Sequence, residues 1–142
     1  MTLFMTSRSF LDTNILVYAD DHSSAVKQTK AQDLIAEGRR SGNAVLSTQI
    51  LQEYFVATTR KLGVPADIAS AKIAIYSRFP LAIIDSEDIL AAIDLHRLHQ
   101  FSLWDALVFR AALQMKCRIL YTEDLQHERR IDGLTIVNPF VD

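Results

Sequence analysis

The chain has 142 residues, 49% of them hydrophobic and 23% charged, the balance of an ordinary globular domain that can bury a core without disulfide or metal staples. Its single cysteine, Cys117, excludes an internal disulfide framework, and no apolar run approaches the roughly 18 residues of a membrane span. The net charge of −2 excludes a protein that coats nucleic acid by bulk electrostatics, while leaving room for one that neutralises phosphate locally with bound cations.

Met1 to Ser9 is too short and too weakly apolar for a secretory signal, so a cytoplasmic protein is expected. No repeat, low-complexity stretch or Gly/Pro-rich linker divides the chain, and residues 1–142 are expected to form a single domain. Ser9-Phe10-Leu11 reads as a short buried strand leading into Asp12, and Ile15 to Ala19 as a short helix. Ala25 to Arg40 forms a longer helix, with Ala31, Leu34 and Ile35 on its apolar side and Gly42-Asn43 as its stop. Ala44 to Leu46 is a second strand. Thr48 is the expected cap of a helix from Gln49 to Leu62, which ends at Gly63. Pro65-Ala66 opens a helix to about Arg78, and Leu81 to Ile84 is a third strand. Ser86 is the expected cap of a helix from Glu87 to His99, and another helix runs from Leu103 to Met115. Arg118 to Tyr121 and Leu134 to Val137 complete the strands.

Strands that alternate with helices imply parallel pairing through right-handed crossovers. The expected fold is therefore α/β, a sandwich whose short, mainly parallel central sheet of about five strands is covered by helices. In such sheets ligands collect beyond the carboxyl ends of the strands, and acids stand at those ends. Asp12 follows the first strand, where the bland alternative is a helix N-cap. Asp124 follows the fourth, where the bland alternative is a turn residue. Asp105 lies on a helix that is apolar on nearly every side, so its carboxylate needs a partner or a metal; the spacing from Ser102 also fits a capping box that would satisfy it structurally. Glu53 sits off the apolar stripe of Ile50, Leu51, Tyr54, Phe55, Thr58 and Leu62, and periodicity alone reads it as a solvated flank.

Other chemistries lack their residues. The chain shows no Ser-His-Asp order or nucleophile elbow. It has no paired Cys/His zinc spacing and no phosphate-binding glycine fingerprint. A phosphoacceptor domain would find Asp85 after strand three but lacks the paired acids after strand one. Carboxylates gathered together cannot all stay ionised without cations, and an all-oxygen site suits Mg2+ or Mn2+. Such ions activate water for phosphodiester cleavage.

In order along the chain, Phe10-Leu11-Asp12-Thr13-Asn14-Ile15-Leu16, Ser47-Thr48-Gln49-Ile50-Leu51-Gln52-Glu53, Leu103-Trp104-Asp105-Ala106-Leu107 and Leu120-Tyr121-Thr122-Glu123-Asp124-Leu125 resemble the PIN-domain nucleases, and among them the VapC-type toxins of bacterial toxin–antitoxin pairs. The resemblance implies a metal-dependent endoribonuclease whose acidic site is Asp12, Glu53, Asp105 and Asp124. Asp12, Asp105 and Asp124 would be the metal ligands for Mg2+, or Mn2+ in its place, and Glu53 would complete the shell. Glu123, the neighbour of Asp124, could substitute for it. Thr13, Asn14, Ser102 and Thr122 match the polar positions that support the acids. Leu103-Trp104 departs from the smaller residues often seen before this Asp. The resemblance further implies an RNA substrate, an antitoxin partner near the helices that begin at Ala25 and Thr48, and a homodimer. Arg129 and Arg130 are either RNA contacts or, the favoured reading, a solvated charged turn. The competing class is a PIN-like module that binds RNA or protein without cutting.

Overall fold

A computed structural model describes residues 7–141. Twelve elements succeed one another along the chain: β1 (Ser9–Leu11), α1 (Thr13–Tyr18), α2 (Ala25–Ser41), β2 (Ala44–Ser47), α3 (Thr48–Lys61), α4 (Ala66–Tyr76), β3 (Leu81–Ala82), α5 (Ser86–His99), α6 (Leu103–Gln114), β4 (Ile119–Tyr121), β5 (Arg130–Ile131) and β6 (Leu134–Val137). The strands form one six-stranded sheet in the order β3-β2-β1-β4-β6-β5. All pairings are parallel except β5 with β6.

The expected mainly parallel α/β sheet is present, with six strands in place of five. The additional strand, β5, is the first arm of a hairpin. Its turn, Asp132-Gly133, holds both residues at positive φ, 52° and 83°, the backbone a tight type I′ hairpin turn requires and the reason Gly stands second. β3 is shorter than expected, Leu81–Ala82, because Ile83 leaves the sheet and is exposed. Two caps also fall one residue earlier than expected. Ser47 rather than Thr48 accepts the Ile50 N–H. Asp85 rather than Ser86 caps α5, in a full capping box with Asp88.

The sheet is apolar because helices cover it. Phe10, Val45, Leu46, Leu120 and Ile136 are fully buried, as parallel strands require. Ala106, Ala111 and Ala112 on α6 are fully buried too, and these small side chains let that helix lie close to the strands. α2 approaches β2 equally closely at Gly38, where any Cβ would overlap the side chain of Ala44. β1 lies between β2 and β4, so the chain builds outward in two directions from the centre. The crevice at such a switch in strand order is where α/β sheets bind their ligands. Here it opens beyond Leu11 and Tyr121.

Candidate active site

Asp12 leaves β1 at that crevice. Its N–H still donates to the Tyr121 carbonyl at 3.0 Å, extending the β1–β4 ladder by one bond, and its side chain is 5% exposed. One carboxylate oxygen accepts the Thr13 N–H at 2.7 Å and so caps α1. The other accepts the Thr122 hydroxyl at 2.7 Å. The cap and the acid-site readings of Asp12 are therefore compatible. Burial pushes this carboxyl up; the bonds from Thr122 and Thr13 oppose that, and the charges of Asp124 and Glu53 add to it, leaving it at about 7.

α3 starts directly after β2, so its first turns return to the same edge of the sheet. Glu53 is half-buried there. One of its oxygens accepts the Thr13 hydroxyl at 2.5 Å and the other the Gln49 side-chain amide at 3.1 Å. Periodicity placed Glu53 in solvent; the structure turns it toward Thr13. Gln49, which no sequence motif singled out, also donates to the Trp104 carbonyl at 3.2 Å and thereby ties α3 to the start of α6. Its position four residues before Glu53 on one helix face was the available clue.

Asp105 stands in the first turn of α6, half-buried. The Ser102 hydroxyl accepts the Asp105 N–H at 3.0 Å, but the reciprocal bond of a capping box, which α5 does form, is absent here. The structural alternative thus accounts for the backbone of Asp105 and leaves its carboxylate without a backbone donor. Burial pushes this carboxyl above its ordinary range. The Ser102 hydroxyl opposes the rise, and the charges of Asp124 and Glu53 add to it. Asp124 and Glu53 therefore act electrostatically on both Asp12 and Asp105, which places the four acids in one locale.

Asp124 is exposed, two residues beyond Thr122. Its N–H donates to the Thr122 hydroxyl oxygen at 3.1 Å, and its carboxylate accepts the Asn14 side-chain amide at 3.1 Å. Thr122 thus touches two acids at once, while the Thr13 hydroxyl bonds Glu53 and the Asn14 amide bonds Asp124. Ser102 caps α6 at the Asp105 N–H, and its hydroxyl also bonds the Asp105 side chain. The side-chain carbonyl oxygen of Asn14 is buried and, among the described residues, has no hydrogen-bond donor. Such an acceptor among acids calls for a cation or a water.

Glu123 does not face this group. It accepts the Tyr18 hydroxyl at 2.6 Å and pairs with Lys27 at 2.6 Å. Partial burial would raise its carboxyl, but these two bonds outweigh burial and hold it below its ordinary range. Its expected use in place of Asp124 is therefore corrected. Arg129 lies with its guanidinium 5.5 Å from the centre of the Phe101 ring. Arg130, in β5, lines a cleft of about 1030 Å3 with Arg8, Arg40 and Arg118 at the amino ends of the strands, away from the acids. Arg40 there pairs with Glu37, and Arg8 donates to the Met115 carbonyl beyond the end of α6. Helix carboxyl termini favour cations at such positions, so this cleft reads as charge compensation. Asp85 caps α5 in its capping box with Asp88. The Cys117 thiol is buried and pushed up to about 12, unfit as a nucleophile.

The donors around the crevice are all oxygen, and two of the four acids are held above their ordinary range. That set fits a hard divalent cation. Among the described residues, no three His, Cys, Asp or Glu side chains are drawn into a closed ion-binding cluster. The acids are neighbours at the range of their charges.

The PIN domain family profile matches residues 9–132. The chain belongs to the PIN domain family. The match takes in all four acids of the crevice. Solved structures of VapC toxins and of their complexes with antitoxins share this PIN fold. VapC20 of Mycobacterium tuberculosis, a toxin that cleaves the sarcin–ricin loop, is 20% identical with a TM-score of 0.68, over 82% of this chain and 89% of its own. A toxin–antitoxin complex from Klebsiella pneumoniae is 18% identical with a TM-score of 0.70, over 93% and 98%. VapBC2 of Rickettsia felis, bound to a DNA fragment from its promoter, is 20% identical with a TM-score of 0.60, over 90% and 96%. Comparison with the curated proteins gives no match.

Proposed function

We propose that this PIN domain is a metal-dependent endoribonuclease of the VapC toxin type, acting in the cytoplasm and held silent by a cognate antitoxin. One observation carries the reading: burial lifts the carboxyls of both Asp12 and Asp105, and the charges of Asp124 and Glu53 add to the rise on each. A binding-only module gains nothing from such mutual repulsion, whereas a cation relieves it.

Asp12, Asp105 and Asp124 would hold Mg2+ or Mn2+. When bound, the ion would lower the pKa of a water and stabilise charge on the scissile phosphate. Mg2+ keeps several of its waters, so a few carboxylates would suffice to hold it. The protein's own part is positioning. Thr122 fixes Asp12 and the backbone before Asp124, Thr13 and Gln49 hold Glu53 from two sides, and Asn14 holds Asp124. Glu53, which has no cationic partner among the described residues, would accept the proton released by the attacking water. Hydrolysis would leave a 5′-phosphate and a 3′-hydroxyl.

Arg60 and Lys61 take over the role first considered for Arg129 and Arg130. They lie at the far end of a groove of about 460 Å3 that begins at Glu53 and runs along α3 past Val56. Neither has an acidic partner among the described residues, and an RNA backbone could follow them. The complexes of similar fold support the antitoxin partner. The exposed apolar residues Ile68 and Ile75 on α4, one heptad apart, support a homodimer that would cover them.

The test is incubation of purified protein with an RNA pool in Mg2+, in Mn2+ and in EDTA. Cutting in the first two, with 5′-phosphate ends, is expected. Products ending in 2′,3′-cyclic phosphate would show attack by the ribose hydroxyl and contradict the proposal.

A further inference from the structure

Trp104 is the chain's only tryptophan, and its side chain is left 64% exposed. Among the described residues it stacks on no other aromatic ring and lies under no cation. A single exposed apolar residue needs no explanation in itself; the position of this one does. It directly precedes Asp105 in the first turn of α6. Its carbonyl accepts from the same Gln49 amide that donates to Glu53. The indole therefore projects from backbone that is fixed on both sides to acids of the crevice.

We infer that Trp104 is a stacking platform for an unpaired base next to the scissile phosphate. This rests on the nuclease reading above. An aromatic face accepts any base, because every base has a π-face. A base inside a helix is already stacked on its neighbours and cannot use it, and recognition of RNA by stacking targets loops, bulges and single strands for that reason. Arg60 and Lys61, at the far end of the largely apolar groove that begins at Glu53, supply the complementary half, two cations for phosphates leading away from the acids. The substrate would then be held at two points, a base on Trp104 and the backbone along α3, with the scissile phosphate between them.

Because there is one tryptophan, its emission reports this site alone. Wild-type protein in Mg2+ is mixed by stopped flow with a 5′-labelled oligoribonucleotide, single-stranded or annealed to its complement. Label anisotropy, tryptophan emission and cleavage are followed together. Free protein should emit as a hydrated indole. The single strand should quench that emission in step with the anisotropy rise, and the duplex should not. Steady-state cleavage by Trp104→Ala should show KM raised about tenfold, the order expected for one stacked base, with kcat near wild type, and Trp104→Phe should restore most of the loss. Anisotropy rise and cleavage with unchanged emission, or an unchanged KM in Trp104→Ala, would overturn the platform and leave the nuclease standing. Emission of a buried indole in the free protein, arising as copies associate, would overturn it too and assign the residue to a protein contact. Absence of both RNA binding and cleavage would remove the nuclease reading and this inference with it.

Discussion

Asp12→Asn should make the metal-free protein more stable. The wild-type carboxyl is lifted from an ordinary 3.8 to about 7, chiefly by burial. Between those values the folded state holds a proton that the unfolded chain has released, so stability falls as pH rises from about 4 and levels off above about 7. At about 1.4 kcal/mol per pH unit, the ionised carboxylate weakens the folded state by about 4 kcal/mol at pH 8. Asparagine keeps the shape and remains a good N-cap for α1. Its amide must turn the Thr122 hydroxyl around to keep that bond, an exchange worth about 1 kcal/mol. A net gain of about 3 kcal/mol, roughly 10 °C in Tm for a chain of this length, is expected in EDTA at pH 8. The assay is urea or thermal denaturation from pH 4 to 8, with and without Mg2+. The gain should shrink toward pH 4, where the folded wild-type carboxyl is protonated and the unfolded one is about half protonated, and in Mg2+, which stabilises the wild type by binding only its folded form. An Asp12→Asn protein no more stable than wild type in EDTA at pH 8 would refute the reasoning.

Thr122→Val keeps the shape but removes the hydroxyl that serves Asp12 and the Asp124 N–H; a loss of about 1–3 kcal/mol is expected by denaturation, with a drop in RNA cleavage. Glu123→Gln should leave the cleavage rate unchanged, because Glu123 is turned to Tyr18 and Lys27; a large loss of activity would return it to the site. Asp88→Ala, which removes the α5 capping box and the partner of Arg110 and Gln114, should cost about 1–3 kcal/mol in urea denaturation while cleavage per folded molecule stays constant.

Much of the site was legible in the sequence for identifiable reasons. Asp12 and Asp124 were singled out because parallel strands deliver the residues after their carboxyl ends to one edge of the sheet. Asp105 stood out because a carboxylate on a helix apolar all round is anomalous. Glu53 was misjudged by periodicity. The apolar stripe of α3 marks the face turned to the core, but the first turns of that helix also border the crevice, and the hydroxyl that holds Glu53 comes from Thr13, forty residues away. The role of Glu123 depends on Lys27 and Tyr18, about a hundred residues distant, which no local pattern encodes. β5 was missed although Asp132-Gly133 is a strong hairpin cue, because a two-residue strand beginning with an arginine lacks any apolar run.

The central claim is that the acids of the crevice cut RNA with a metal. Asp105→Asn tests it most directly, since the Asp105 carboxylate accepts no backbone hydrogen bond and its loss should leave the fold intact. Cleavage of a labelled RNA by wild type and Asp105→Asn is compared in Mg2+, with matched circular dichroism. The account predicts a rate at least about a hundredfold lower in the variant, as when a group that stabilises transition-state charge is removed. Equal rates, or wild-type cutting that persists in EDTA, would contradict it.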